Sequence, residues 1–207
     1  MKQFVIILLS ALVLFNSCKK DDTTSGATAS VSKTITDLAA DPGTGVDPAT
    51  GQTLGTINKF TLFNFKSGSI ISNSDSASTK WDIGFRGTTI IFNSGVSGPG
   101  TAGAQIQDGT FDGITTAPST GYISDNATSY AIPVGSGKGW YTYNGATMVI
   151  SPTAGKILII KTADNHYVKM EILSYYKGAP ASPVNSIPAR YYTFRYFYQG
   201  DGGTALK

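Results

Sequence analysis

The chain has 207 residues, with 16 Lys and Arg against 13 Asp and Glu for a net charge of +3. Arginine occurs only at Arg86, Arg190 and Arg195, and no basic block exists to neutralise phosphates, which excludes a nucleic-acid-binding protein. Glutamate occurs once, at Glu171, while Gly numbers 24, Tyr 11 and Phe 10. The residues that fill helices are scarce and those that fill strands abundant, so the folded part is expected to be nearly all β.

In chain order, Lys2 precedes an apolar run over residues 4–15, followed by small Ser17, then Cys18 and Lys19-Lys20-Asp21-Asp22. A charged start, an apolar core of about a dozen residues and a small residue before a cysteine is the layout of a bacterial lipoprotein signal. The run falls short of the ~20 residues that span a bilayer. Cys18 is the only cysteine, so no disulfide can form within the chain, and an unpaired thiol in an exported protein is anomalous unless it carries lipid. Phe15 stands where the commonest lipobox has Leu. Residues 1–17 are expected to be removed, and Cys18 to be lipidated and to anchor the protein in the outer membrane, with the domain facing the medium. Stable anchoring needs more than one acyl chain on that cysteine.

Residues 18–32 are rich in Ser, Thr and Ala without apolar periodicity, and read as a flexible tether. Residues 33–207 are enough for one domain with a full core. The echo Asp41-Pro42-Gly43-Thr44-Gly45 and Asp47-Pro48-Ala49-Thr50-Gly51 reads as a pair of turns, since calcium loops offer more carboxylates.

Alternation begins near Ile57. Phe60 and Leu62 oppose Thr61 and Phe63, and Lys66-Ser67-Gly68 turns the chain toward Ile70-Ile71. Residues 80–86 read as a strand with Trp81, Ile83 and Phe85 on one face and Lys80, Asp82 and Arg86 on the other. Gly87 suits a tight turn into a strand over 88–92, and residues 93–103 hold four glycines and a proline, a loop that bends sharply. Strands over 156–163 and 166–176 flank Asp164-Asn165, both tolerant of positive φ, which predicts a two-residue hairpin. That register sets Ala163 opposite His166, Lys161 opposite Val168, Ile159 opposite Met170 and Ile157 opposite Ile172. A strand over 190–199 carries Tyr192, Phe194, Tyr196 and Tyr198 on one face. Long antiparallel strands of this kind need a second layer to cover them.

Catalytic constellations are missing. His166 is the only histidine, neither Gly-x-Ser-x-Gly nor a phosphate loop occurs, and residues 93–100 lack the Lys and following helix of a phosphate site. Nothing singles out a carboxylate pair for glycoside cleavage. The expectation is a binding protein, not an enzyme.

Trp81-Asp82-Ile83-Gly84-Phe85-Arg86, followed by Asn93-Ser94-Gly95-Val96-Ser97-Gly98-Pro99-Gly100, resembles the central signature of the HmuY family. Lys161-Thr162-Ala163-Asp164 with residues 167–176 is similar to it as well. The family consists of Bacteroidetes lipoproteins whose founding members take up haem, and Lys19-Lys20-Asp21-Asp22 resembles the charged export tags of some of them, or reads simply as a solvated spacer. The resemblance covers residues 57–199. It implies an all-β domain with haem held between loops at one end, and delivery of haem to a TonB-dependent transporter. It also implies two axial histidines, before and after the strand Trp140-Tyr141-Thr142-Tyr143, where this chain has none. Met148 is the soft donor that follows that strand and the first candidate ligand to haem iron. His166 or the loop residue Tyr130 is the candidate for a second, and the sequence does not choose between them. Beside the Asp164-Asn165 turn, His166 also reads as a solvated strand end. Met170, among apolar neighbours, reads as core. Tyr141 and Tyr143 could stack on a flat ligand or pack across strands. The alternative is a domain of the same fold that has lost haem ligation and binds a glycan, another small molecule or a partner protein.

Overall fold

The computed structural model describes residues 29–47, 49 and 52–207. Cys18, the signal and most of the tether lie outside the described residues. The strands are β1 (Val31–Ala39), β2 (Gly45–Val46), β3 (Thr53–Leu54), β4 (Thr61–Asn64), β5 (Ser69–Ile71), β6 (Ile83–Arg86), β7 (Thr89–Phe92), β8 (Gly103–Asp108), β9 (Tyr141–Asn144), β10 (Val149–Pro152), β11 (Lys156–Lys161), β12 (Tyr167–Tyr176) and β13 (Ala189–Gln199). The only helical piece among the described residues is a single 3₁₀ turn, Asn73–Asp75, so the fold is all β as expected.

Two antiparallel sheets face each other. One has five strands in the order β1-β13-β12-β11-β8, the other four in the order β5-β4-β6-β7. Their inner faces meet through aromatic rings: Phe63 edge-on to Phe194 at 5.6 Å, Phe85 stacked on Phe194 at 5.6 Å, and Phe65 against Tyr196 at 5.1 Å. Tyr192, Phe194, Tyr196 and Tyr198 share this face and are fully buried. A buried phenol needs a partner, and each of these has one. Tyr192 donates to Gly87 O at 2.9 Å, Tyr196 to Phe65 O at 3.0 Å, and Tyr198 to Asp164 Oδ2 at 3.3 Å. The five-stranded sheet is also covered on its outer face, where Ile157 and Ile159 pack with Phe111, Ile114 and Leu206.

Two expected details are corrected. The β11–β12 hairpin pairs Lys161 with Tyr167 and Leu158 with Met170, one residue off the predicted register. The loop holds three residues, 163–165, and only Asn165 has positive φ (64°). A two-residue loop of the predicted kind needs positive φ at both central positions, whereas a turn ending in one left-handed residue fits three. Thr162 secures it, donating its amide to His166 O at 2.8 Å and accepting the His166 amide on Oγ1 at 2.9 Å. The shift puts Leu158 and Ile160 on the inner face with Met170, and Ile157 and Ile159 on the outer face.

Trp81 likewise does not share a face with Ile83 and Phe85. The strand begins at Ile83, and a bend at Asp82 resets the alternation, so Trp81 packs with Leu62 and Ile91 on the outer face of the smaller sheet. Asp82 is turned inward, where Oδ2 accepts from Phe65 N at 2.9 Å and Oδ1 from Ala163 N at 3.2 Å. The Gly87 turn joins β6 to β7 as predicted, with Arg86 opposite Thr89. In the aspartate echo, Asp47 Oδ1 accepts the Ala49 amide at 2.8 Å, the work of a turn, whereas the Asp41 carboxylate reaches across to accept the Ile57 and Asn58 amides at 2.8 and 3.0 Å.

Candidate functional site

The site is built where β12 ends and β13 begins. Asn144 pairs with Val149 to close the β9–β10 ribbon. Asn144 Oδ1 accepts the amides of Ala146 at 2.9 Å and Thr147 at 3.2 Å, an Asx arrangement that fixes the turn. The turn then returns through Met148 at φ 55°. Left-handed backbone suits Gly or Asn; any other L residue there is disfavoured by about 1–2 kcal/mol. The Met148 side chain is 54% exposed, so its packing does little to offset that strain. Ile150 N donates to the Tyr176 hydroxyl at 3.0 Å and fastens the ribbon to the end of β12.

The β12–β13 pairing is irregular there, with register shifts between Ile172 and Ser174 and again between Ser174 and Tyr176. Beyond them Arg190 enters β13 at φ 66°. Seven described residues other than glycine have positive φ: Asp37, Asp41, Asn58 and Asn165, which tolerate it, and Met148, Ala179 and Arg190. Two of the last three, Met148 and Arg190, line one cleft. Strained backbone persists where the surrounding structure holds it, and it clusters at functional sites.

The cleft has a volume of about 560 Å³, within the range of small-molecule sites. Tyr175, Tyr176, Tyr191, Ile150, Ile187 and residues 42–45 line it. Tyr175 is backed by Tyr192 at 5.4 Å and Trp140 at 5.7 Å. Burial pushes the Tyr175 phenol well above its ordinary pKa, and the positive charge of Arg190 counters part of that rise. The hydroxyl is therefore a neutral donor or acceptor at any physiological pH.

The other candidates lie elsewhere. His166 sits at the far end of β12, its ring stacked on Tyr198 at 5.3 Å and Nδ1 at 3.1 Å from Asp164 O. β12 has ten residues, a length of about 30 Å at ~3.3 Å per residue. Met148 and His166 therefore do not serve one iron, and the pairing of these two is set aside. Tyr130 lines a separate cavity of about 600 Å³ with Val96, Val134 and Lys138. Its loop hangs from Asp125, whose two carboxylate oxygens accept Phe92 N and Ala131 N at 2.8 Å each. Met170 is fully buried in the core, as expected. Tyr141 is buried and Tyr143 exposed. Among the described residues no three His, Cys, Asp or Glu stand close enough to hold a bare metal ion.

Arg190, Tyr175 and Tyr176 had not been singled out from sequence. Their roles depend on the irregular pairing where Tyr176 meets Ala189, which no local pattern announces. The left-handed backbone at Arg190 is equally silent in the sequence.

A family model described as HmuY protein matches residues 56–196. Solved structures similar in architecture include the apo HmuY analog of Tannerella forsythia, at 16% identity over 84% of this chain and 98% of that one, TM-score 0.44. A Bacteroides vulgatus protein provisionally named HmuY-like and haem-binding has 15% identity over 84% and 93%, TM-score 0.47. A Bacteroides fragilis protein provisionally named a lipoprotein has 13% identity over 83% and 90%, TM-score 0.45. No curated protein matches the chain in sequence. The family match runs from ahead of β4 into β13 and takes in both Met148 and Arg190, and on it the chain belongs to the HmuY family.

Proposed function

We propose that this protein is a haem-binding lipoprotein of the outer membrane. It is anchored through Cys18 and faces the medium, takes haem into the cleft beside Met148, and passes it to a TonB-dependent transporter. It binds and releases; it makes and breaks no bonds. The observation that carries this reading is Met148 itself, an exposed thioether held in left-handed backbone on the rim of an aromatic cleft. Family membership and the name of the Bacteroides vulgatus protein support the ligand class.

The residues fit the group at one axial position. Haem brings an iron that accepts soft donors, a flat apolar ring and two carboxylates. Met148 would supply the thioether, a ligand that favours the reduced iron. Tyr175, Tyr176 and Ile150 offer apolar and aromatic wall, and Arg190 offers a cation. His166 lies at the other end of β12 and takes no part.

A haem titration of the purified protein under oxidising and reducing conditions tests the reading. The expected result is a shifted, sharpened Soret band, strongest when reduced, lost in Met148→Ala and kept in His166→Ala. Unchanged spectra at micromolar protein and haem would overturn it. The cleft's single soft donor would then favour the second reading, a HmuY-family domain that binds a glycan, another small molecule or a partner protein without haem.

A further inference from the structure

The Arg190 guanidinium is charged, half-buried and donates to a neutral partner, Asp41 O, at 3.0 Å. Its charge also reaches the Tyr175 phenol. It lies over Gly87, where an added Cβ would stand 3.6 Å from Cζ. The Asp41 carboxylate is taken by the Ile57 and Asn58 amides. Among the described residues Arg190 has no ion pair, whereas Arg195 is paired with Glu171 at 2.7 Å. No residue lining the cleft is Asp or Glu. At its edge Lys177 Nζ adds a second positive charge, 5.5 Å above the Tyr191 ring.

A guanidinium carries five donors in a rigid fork, matched to a carboxylate. One of them goes to Asp41 O. A partly desolvated cation without a counter-charge is unfavourable, and the backbone that holds this one in place is itself strained. The first penalty is relieved when an anion enters the cleft. We propose that the cleft is selective for flat aromatic ligands bearing a carboxylate, and that Arg190, held by its bond to Asp41 O, binds that carboxylate. The proposal rests on the reading of this cleft as the haem site and adds the group that recognises the ligand's acidic edge.

The test uses iron-free protoporphyrin IX and its dimethyl ester, which differ only in whether the carboxylates are free, with binding followed by porphyrin fluorescence. Wild type is expected to favour the free acid by about tenfold or more, the worth of a charge-assisted hydrogen bond. Arg190→Gln should bring the acid down to the level of the ester and leave the ester unchanged. Met148→Ala should keep the preference, because no iron is present. Equal binding of acid and ester by wild type, or a preference that survives in Arg190→Gln, overturns the proposal. In those cases the haem reading stands or falls separately, on the Met148-dependent Soret band. Wild type that binds neither porphyrin nor haem overturns both. If Arg190→Gln does not fold, as judged by circular dichroism, the preference is read in Arg190→Lys, which keeps charge and loses the fork. A drop of threefold or more is then expected, and an unchanged preference overturns the proposal.

Discussion

Met148→Gly separates stability from binding at a single residue. At φ 55° the methionine backbone is disfavoured by about 1–2 kcal/mol. Glycine removes that strain but adds about 0.5–1 kcal/mol of chain entropy in the unfolded state. The side chain is 54% exposed, so little burial is lost, and the net gain is about 0.5–1 kcal/mol. For a domain of this size that raises Tm by roughly 1–4 °C. Thr147→Gly is the control: Thr147 is not among the residues with positive φ, so the same change should lower stability by about 0.5–1 kcal/mol. Equilibrium unfolding in urea and thermal melts read both variants, and haem titration reads binding. Met148→Gly should come out more stable and blind to haem, the exchange expected where function holds a strained residue in place. A Met148→Gly protein that melts below wild type would show that the turn holds no strain at this position, and the structural case for Met148 would fail.

Two more outcomes follow from buried groups. Burial raises the Asp82 carboxyl to about 6 from 3.8, against the amide donors that favour its charged form. The folded state therefore holds this proton more tightly than the unfolded chain. The stability it contributes is full below about pH 4 and is lost as pH rises toward 6, about 3 kcal/mol at ~1.4 kcal/mol per pH unit; carboxyl NMR should show a midpoint near 6, and one near 4 would refute this. Leu206 is fully buried on the outer face of the larger sheet, its amide donating to Thr115 O at 2.8 Å. Leu206→Ala should lower stability by about 2–4 kcal/mol, and a loss under 1 kcal/mol in urea would mean the last residues do not close that core.

The fold class and the strands over 156–199 were legible because side-chain period and turn residues both act locally. What failed did so where a distant partner decides. The register of the β11–β12 hairpin depends on Thr162 bonding across the loop to His166, and Asp164-Asn165 alone suits either loop length. The face of Trp81 depends on Asp82 being drawn inward by amides of residues 65 and 163. β1 was missed because, as an edge strand, it buries only Leu38 (Val31 and Ile35 being half-buried) and a bulge between Ile35 and Leu38 breaks its alternation. Of the site, Met148 was legible as a soft donor on an exposed turn. Arg190 was one arginine among three, and its strain exists only in the folded chain.

The two ends of β12 show why the cleft, and not the lone histidine, is the place to look for a ligand. At the His166 end the side chains of Thr162, Asp164 and Tyr198 are bonded to one another and to His166. Thr162 bonds His166, the His166 ring approaches Asp164, and Tyr198 donates to Asp164 Oδ2. Beneath them the Asp82 carboxylate accepts the Ala163 amide. A ligand arriving there would have to displace bonds already made, each worth about 1 kcal/mol net and more when left unmade. At the Tyr176 end the pairing is interrupted, two residues hold left-handed backbone, and a guanidinium donates to a neutral partner. Binding there breaks nothing and supplies a counter-charge. Ligand affinity comes from what a fold leaves unsatisfied, and in this chain an unpaired charge and a soft donor line one cleft at that end.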